Sequence, residues 1–187
     1  MSSADPEFDQ LLETLKHAAH VLREAEVPFA LAGGIACWAR GGPPREHDLD
    51  FFLTQPDAER ALAVLADAGF RTEKPPEGWL YKAFDGDVML DLIFAPASGP
   101  VTAAEIARAE DMEVHATRMR VLTASDILAA KLLAMKEHEV DYESVLELAR
   151  ALREQLDWED IRRRTDHSPY AKAFFTLVEE LGVLEAA

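Results

Sequence analysis

Cys37 is the only cysteine in 187 residues, so no intramolecular disulfide can form, and a lone thiol fits a reducing compartment. The opening stretch "MSSADPEFDQLLETL" has no basic segment followed by an apolar one, so no secretory signal is expected. No apolar run reaches transmembrane length, so no membrane partner is expected either. Together these absences predict a cytoplasmic protein. Basic side chains are scarce, with 19 Lys and Arg against 35 Asp and Glu, a formal charge of −16. A surface this acidic repels phosphate backbones. That disfavours a broad nucleic-acid face and tilts any second substrate toward a small cationic molecule rather than RNA. Neither an internal repeat nor a low-complexity tract is present, and no sequence pattern specifies an oligomeric state.

What remains is an ordinary globular composition, 49 % hydrophobic and 29 % charged. Phe8, Leu11, Leu12, Leu15, Ala18, Ala19 and Leu22 form a helical stripe, with Pro6 in a plausible first turn. "VPFALAGG" reads as a short buried strand ending in glycines. "IACWARGG" reads as a short helix that Pro43-Pro44 prevent from continuing. "DLDFFL" predicts a strand and "QPDAERALAVLADAGF" a helix with Gly69 at its end. "WLYKAFD" and "VMLDLIF" predict two strands joined at Asp85-Gly86. "TAAEIARA" predicts a short helix, and "MEVHA" with "MRVLT" one or two short edge strands. After Thr123 every segment shows helical spacing, with Thr123 and Asp126 as a capping box at the first. The expected fold is α/β (α+β), a small mixed sheet flanked by helices. The expected division is a core over residues 1–122 and a helical C-terminal region over 123–187.

The chemistry concentrates between Gly33 and Asp91. Asp48 and Asp50 lie at i and i+2 on a predicted strand, so their side chains share one face. Side by side the two carboxylates repel, and a divalent metal between them removes that cost. Asp91 sits between Leu90 and Leu92, where a carboxylate is expensive unless it is paired or binds a metal. If the two strands are neighbours, three carboxylates surround a gap of the hard-oxygen kind that suits Mg²⁺ or Mn²⁺. Gly33 and Gly34, at a strand-to-helix turn, let the backbone approach a ligand closely and present N–H groups, as a phosphate cradle does. These parts together describe phosphoryl or nucleotidyl transfer, with Asp91 as the base that takes the acceptor proton.

The glycine pair, the "HDLDFFL" segment and a later hydrophobic strand with a third aspartate resemble the polymerase-β-type nucleotidyltransferase superfamily. "REHDLD", from Arg45 to Asp50, is similar to the corresponding segment of lincosamide and aminoglycoside-2″ nucleotidyltransferases, where a basic residue and a histidine precede the paired acids. The stretch "AAKLLAMKEHEVDYESVLELA", with Lys131 and the later Asp141, resembles bacterial toxin-type nucleotidyltransferases. The resemblance implies transfer of a nucleoside monophosphate from an NTP, with ATP among the candidates, to an acceptor hydroxyl. It implies catalytic and metal-binding roles for Asp48, Asp50 and Asp91, and nucleotide contacts from Gly33, Gly34, Arg45 and Lys131. Its toxin-type branch implies tRNA or another macromolecule as acceptor, and a degenerate member would bind nucleotide without turnover. The spacing after His47 is one residue shorter than in the antibiotic enzymes, which leaves that histidine without an assigned role.

Overall fold

A computed structural model describes residues 6–43 and 48–184. A seven-stranded mixed sheet forms its centre, in the order β3-β4-β5-β2-β1-β7-β6. The strands are β1 (Ala30–Ala32), β2 (Asp48–Phe52), β3 (Arg71–Glu73), β4 (Leu80–Asp85), β5 (Val88–Ile93), β6 (Glu110–Val114) and β7 (Thr117–Val121). The helices are α1 (Pro6–Glu24), α2 (Gly33–Ala39), α3 (Gln55–Asp67), α4 (Ala103–Arg108), α5 (Ala124–Ala134), α6 (Tyr142–Ala151), α7 (Trp158–Thr165) and α8 (Pro169–Glu180). No helix among the described residues is long and apolar enough to cross a membrane.

Period-two alternation on β2 decides how the sheet is used. Leu49 and Phe51 are fully buried, and Phe51 stacks on Phe29 with ring centroids 4.5 Å apart. Burying a side chain of this size contributes roughly 2–3 kcal/mol, enough to fix the strand's register. That register turns Asp48 and Asp50 to the opposite face. Helices α1 and α3 pack on each other and on the central strands, while α2 meets β1, β2 and α5. Beyond β7, α5 packs against α6, α7 and α8.

Four local expectations are refined. The β4–β5 loop consists of Gly86 and Asp87, because Asp85 still pairs with Val88. Gly86, at φ +60°, takes the first loop position, which a two-residue turn with one left-handed residue reserves for glycine. This shifts the hairpin register from a turn centred on Asp85-Gly86. Strand β7 is interior, not an edge: it pairs parallel to β1 and antiparallel to β6. Strand β3 escapes the sequence pattern because it has three residues, none of them buried, on the sheet's other edge. Finally, the Thr123 hydroxyl caps α5 by accepting from the Asp126 amide at 3.1 Å and donating to Asp126 Oδ2 at 2.8 Å. The carboxylate of Asp126 is therefore committed to side-chain partners.

Candidate active site

Strands β2 and β5 lie side by side and parallel, with Asp50 directly opposite Asp91. Residues at paired positions share a face, so the alternation that exposes Asp48 and Asp50 brings Asp91 to them. One carboxylate oxygen from each of Asp48, Asp50 and Asp91 lies within 4.8 Å of the other two. Two ligands on opposite sides of a Mg²⁺ ion are about 4.2 Å apart, so a small side-chain rotation would close this set around a hard cation. All three donors are carboxylates, the ligand type such cations select. Asp48 and Asp50 are half-buried, whereas Asp91 is 8 % exposed.

Glycine at position 33 is a geometric requirement of this arrangement. Gly33 has φ +60°, a left-handed conformation, and it opens α2. A Cβ built there would fall inside the Asp50 carboxylate, 2.8 Å from its Cγ and closer still to Oδ2. The backbone can approach Asp50 only because no side chain intervenes. Gly34 follows as the second residue of α2 and is buried. On β1, Ala32 stands opposite Asp50, a small residue that leaves this face open.

The far end of α2 is anchored too. The Arg40 side chain donates from Nε to the Leu122 carbonyl at 2.6 Å and from Nη2 to the Val121 carbonyl at 3.2 Å. Its Nη1 meets Glu110 at 2.9 Å, and the side chain is 5 % exposed. This clamp ties α2 to β7 and β6 and so fixes where Gly33 stands. Cys37, on the same helix, is buried and packs closely against Gly42.

The other sequence candidates fall into different places. Lys131 is half-buried near the end of α5, the helix that packs on α2. Asp141 caps α6, accepting from the Ser144 amide at 3.0 Å. Arg45 and His47 lie outside the described residues. A residue that sequence reasoning passed over stands at the cluster itself: Lys82 on β4 is directly opposite Asp91 and donates from Nζ to Asp91 Oδ1 at 2.8 Å. The signal was a lysine inside the apolar strand "WLYKAFD", but finding its partner required the hairpin register.

A second charged cluster lies beyond Phe52, two residues along β2 from Asp50. Phe52, Leu122, Asp126, Ala130, Arg108 and Arg164 line a shallow cleft there. Asp126 Oδ1 accepts from Arg108 at 3.0 Å and from Arg164 at 2.8 Å, and Arg164 also meets Asp160 at 3.0 Å. Burial pushes the Asp126 carboxyl up, but hydrogen bonds from Arg108 and Thr123 and the charge of Arg164 outweigh it, leaving the group below its ordinary value. For Arg164, burial works against the charge, and contacts with Asp160 and Asp126 more than restore it. These ion pairs join α4, α5 and α7.

Comparison with known proteins bears on the family and the fold. Residues 9–179 match the model of a family described as uncharacterised nucleotidyltransferase. The structure is similar to the solution structure of the antibiotic-resistance factor ANT(2'')-Ia, at 15 % identity over 93 % of this chain and 97 % of that one, with a TM-score of 0.64. It is also similar to the crystal structure of ANT(2'')-Ia in complex with adenylyl-2''-tobramycin, at 19 % identity over 90 % and 98 % of the two chains, TM-score 0.61. An antigenic nucleotidyltransferase-like protein from Paracoccidioides brasiliensis aligns over 92 % of this chain and 88 % of its own, at 12 % identity and a TM-score of 0.58. At these identities the structural likeness is one of fold. No curated protein matches the chain by sequence.

Proposed function

The chain belongs to the nucleotidyltransferase family whose model spans residues 9–179, and from that premise we propose a metal-dependent transfer of a nucleoside monophosphate from an NTP to an acceptor hydroxyl. The observation that carries the reading is the convergence of Asp48, Asp50 and Asp91, with Gly33 pressed against Asp50. Mg²⁺ or Mn²⁺ bound by these carboxylates would supply charge neutralisation for the triphosphate and the pyrophosphate leaving group. Asp48 and Asp50 hold their carboxylates at the start of one strand, where they anchor the centre. Gly33 and Gly34 offer backbone without side-chain obstruction, along which the triphosphate lies. Lys131 and Arg45 assist with the phosphates. Asp91 reaches the cluster from a different strand and accepts the proton of the attacking hydroxyl. The hydroxyl oxygen then bonds to the α-phosphorus as the bond to the β-phosphate oxygen breaks, and pyrophosphate departs.

A formal charge of −16 favours a small cationic acceptor over RNA, in the cytoplasm. Two measurements test the reading. Calorimetry should show NTP binding with Mg²⁺ and none with EDTA, since the triphosphate otherwise faces three carboxylates. Asp48→Asn or Asp50→Asn should loosen the metal and with it the nucleotide, whereas Asp91→Asn should keep nucleotide binding and lower single-turnover transfer by about 10²-fold or more. Wild-type transfer in Asp91→Asn would remove its role as base. A gel shift with total tRNA at low salt decides the acceptor class: retardation at micromolar protein would favour RNA.

A further inference from the structure

The chemistry above makes no use of Lys82. Its side chain is only 25 % exposed, which is unusual for a lysine on a sheet that otherwise presents acids at this spot. Two contacts hold the ammonium: Asp91 Oδ1 at 2.8 Å and the thioether Sδ of Met89 at 3.1 Å. Both partners come from β5, on the face that carries the carboxylate cluster, because Lys82 and Asp91 are cross-strand partners. A lysine whose task was only to cover apolar surface would send its head group to water. Here the head group points at a carboxylate instead.

We propose that Lys82 is the resident counter-cation of the metal centre: it offsets the repulsion among the carboxylates when no metal is bound, and it limits how tightly a metal binds. This rests on the metal-centre reading above. The first half follows from proximity. Asp91 is nearly buried and has two other carboxylates within 4.8 Å, an arrangement that raises the free energy of the ionised state unless a positive charge is close. The second half follows from the same charge seen by the incoming ion. A carboxylate offers about four lone-pair sites, so Asp91 can keep Lys82 on Oδ1 and still have acceptor capacity for the metal and for the acceptor proton. The ammonium then remains beside the dication and repels it. Lys82 is thus a positioning residue whose fixed charge trades affinity for a centre that is already assembled and that releases its ion readily.

The test uses the full chain, Mn²⁺ as the probe, and no activity measurement. Lys82→Met keeps the length and apolar stem but removes the charge, and Lys82→Arg keeps the charge. Titration calorimetry should show Mn²⁺ bound about tenfold more tightly by Lys82→Met than by wild type, with Lys82→Arg close to wild type. Without metal, Lys82→Met should melt at lower temperature than wild type, and saturating Mn²⁺ should raise its Tm by more than it raises the wild-type Tm. Equal or weaker Mn²⁺ binding by Lys82→Met overturns the proposal while leaving the metal centre standing. If wild type itself binds no Mn²⁺, or binds it equally after Asp48→Asn, the metal-centre reading has failed instead. Should Lys82→Met not fold alone, Lys82→Gln provides the same comparison with a polar side chain.

Discussion

Two acid clusters stand near β2, one at Asp50 and one beside the cleft that Phe52 lines, and they are built on opposite rules. At Asp126 one carboxylate meets two guanidiniums and a capping hydroxyl, so the acid is surrounded by partners that stabilise its charge. At Asp91 one carboxylate meets one ammonium and two further carboxylates. The first cluster joins three helices and holds its acid below the ordinary pKa. In the second, like charges converge and a backbone approaches so closely that only glycine fits. Ion pairs that satisfy one another need no ligand, whereas a concentration of acids beside an open backbone is useful chiefly when a cation arrives. On the proposed function, the first cluster is the structural one and the second the catalytic one.

The largest effect that sharpens this contrast is expected from Gly33→Ala. A left-handed non-glycine residue costs about 1–2 kcal/mol, and the new Cβ must displace the Asp50 carboxylate. A misplacement on the ångström scale costs roughly 10²-fold in transfer, measurable under single-turnover conditions. Retention of wild-type transfer in a folded Gly33→Ala protein would break the link between glycine and carboxylate.

Asp126→Ala should do the reverse, harming stability and sparing chemistry. Removing Asp126 takes its acid from Arg108 and leaves Arg164 with Asp160 alone, a loss of about 3 kcal/mol, at the low end because Arg108 is half-exposed and Arg164 keeps one partner. Thermal melts should fall by roughly 6–12 °C for a chain of this size, with NTP binding unchanged at a temperature where the variant is folded. If nucleotide binding is lost instead, this cluster belongs to the active site and the contrast collapses.

A smaller version of the same loss should appear on acidification. The folded Asp126 carboxyl titrates below its ordinary value of 3.8, so the folded state favours its ionised form. That stabilisation is complete above the unfolded pKa and disappears as pH falls through the lower folded value. Denaturant melts across this acid range should show a larger loss of stability in wild type than in Asp126→Ala. The Thr123 cap survives protonation through the amide of Asp126, which keeps the effect smaller than truncation.

Much of this was legible in the chain. The alternation in "DLDFFL" puts Asp48 and Asp50 on one face whatever lies beside them, because a strand repeats every two residues. An aspartate between Leu90 and Leu92 announces a buried carboxylate in need of a partner, and the glycine pair announces a backbone approach. The helical spacing after Thr123 predicts the helices α5 to α8, and all four are present. What local pattern could not supply was pairing. β3 is too short and too exposed to carry an apolar signal, and β7 is interior only because β1 pairs with it across 90 residues of chain, from Leu31 to Val121.

The sequence by itself determined the residue types of the site and the faces they occupy, since both follow from local periodicity and from the cost of burying charge. Only the tertiary structure decided which residues meet. The parallel register of β2 on β5 sets Asp50 opposite Asp91, and the two-residue loop at Gly86-Asp87 sets Lys82 opposite Asp91. A shift of one residue in either pairing would send the partner to the other face, so the cluster exists through long-range hydrogen bonding and core packing that no short window of sequence contains.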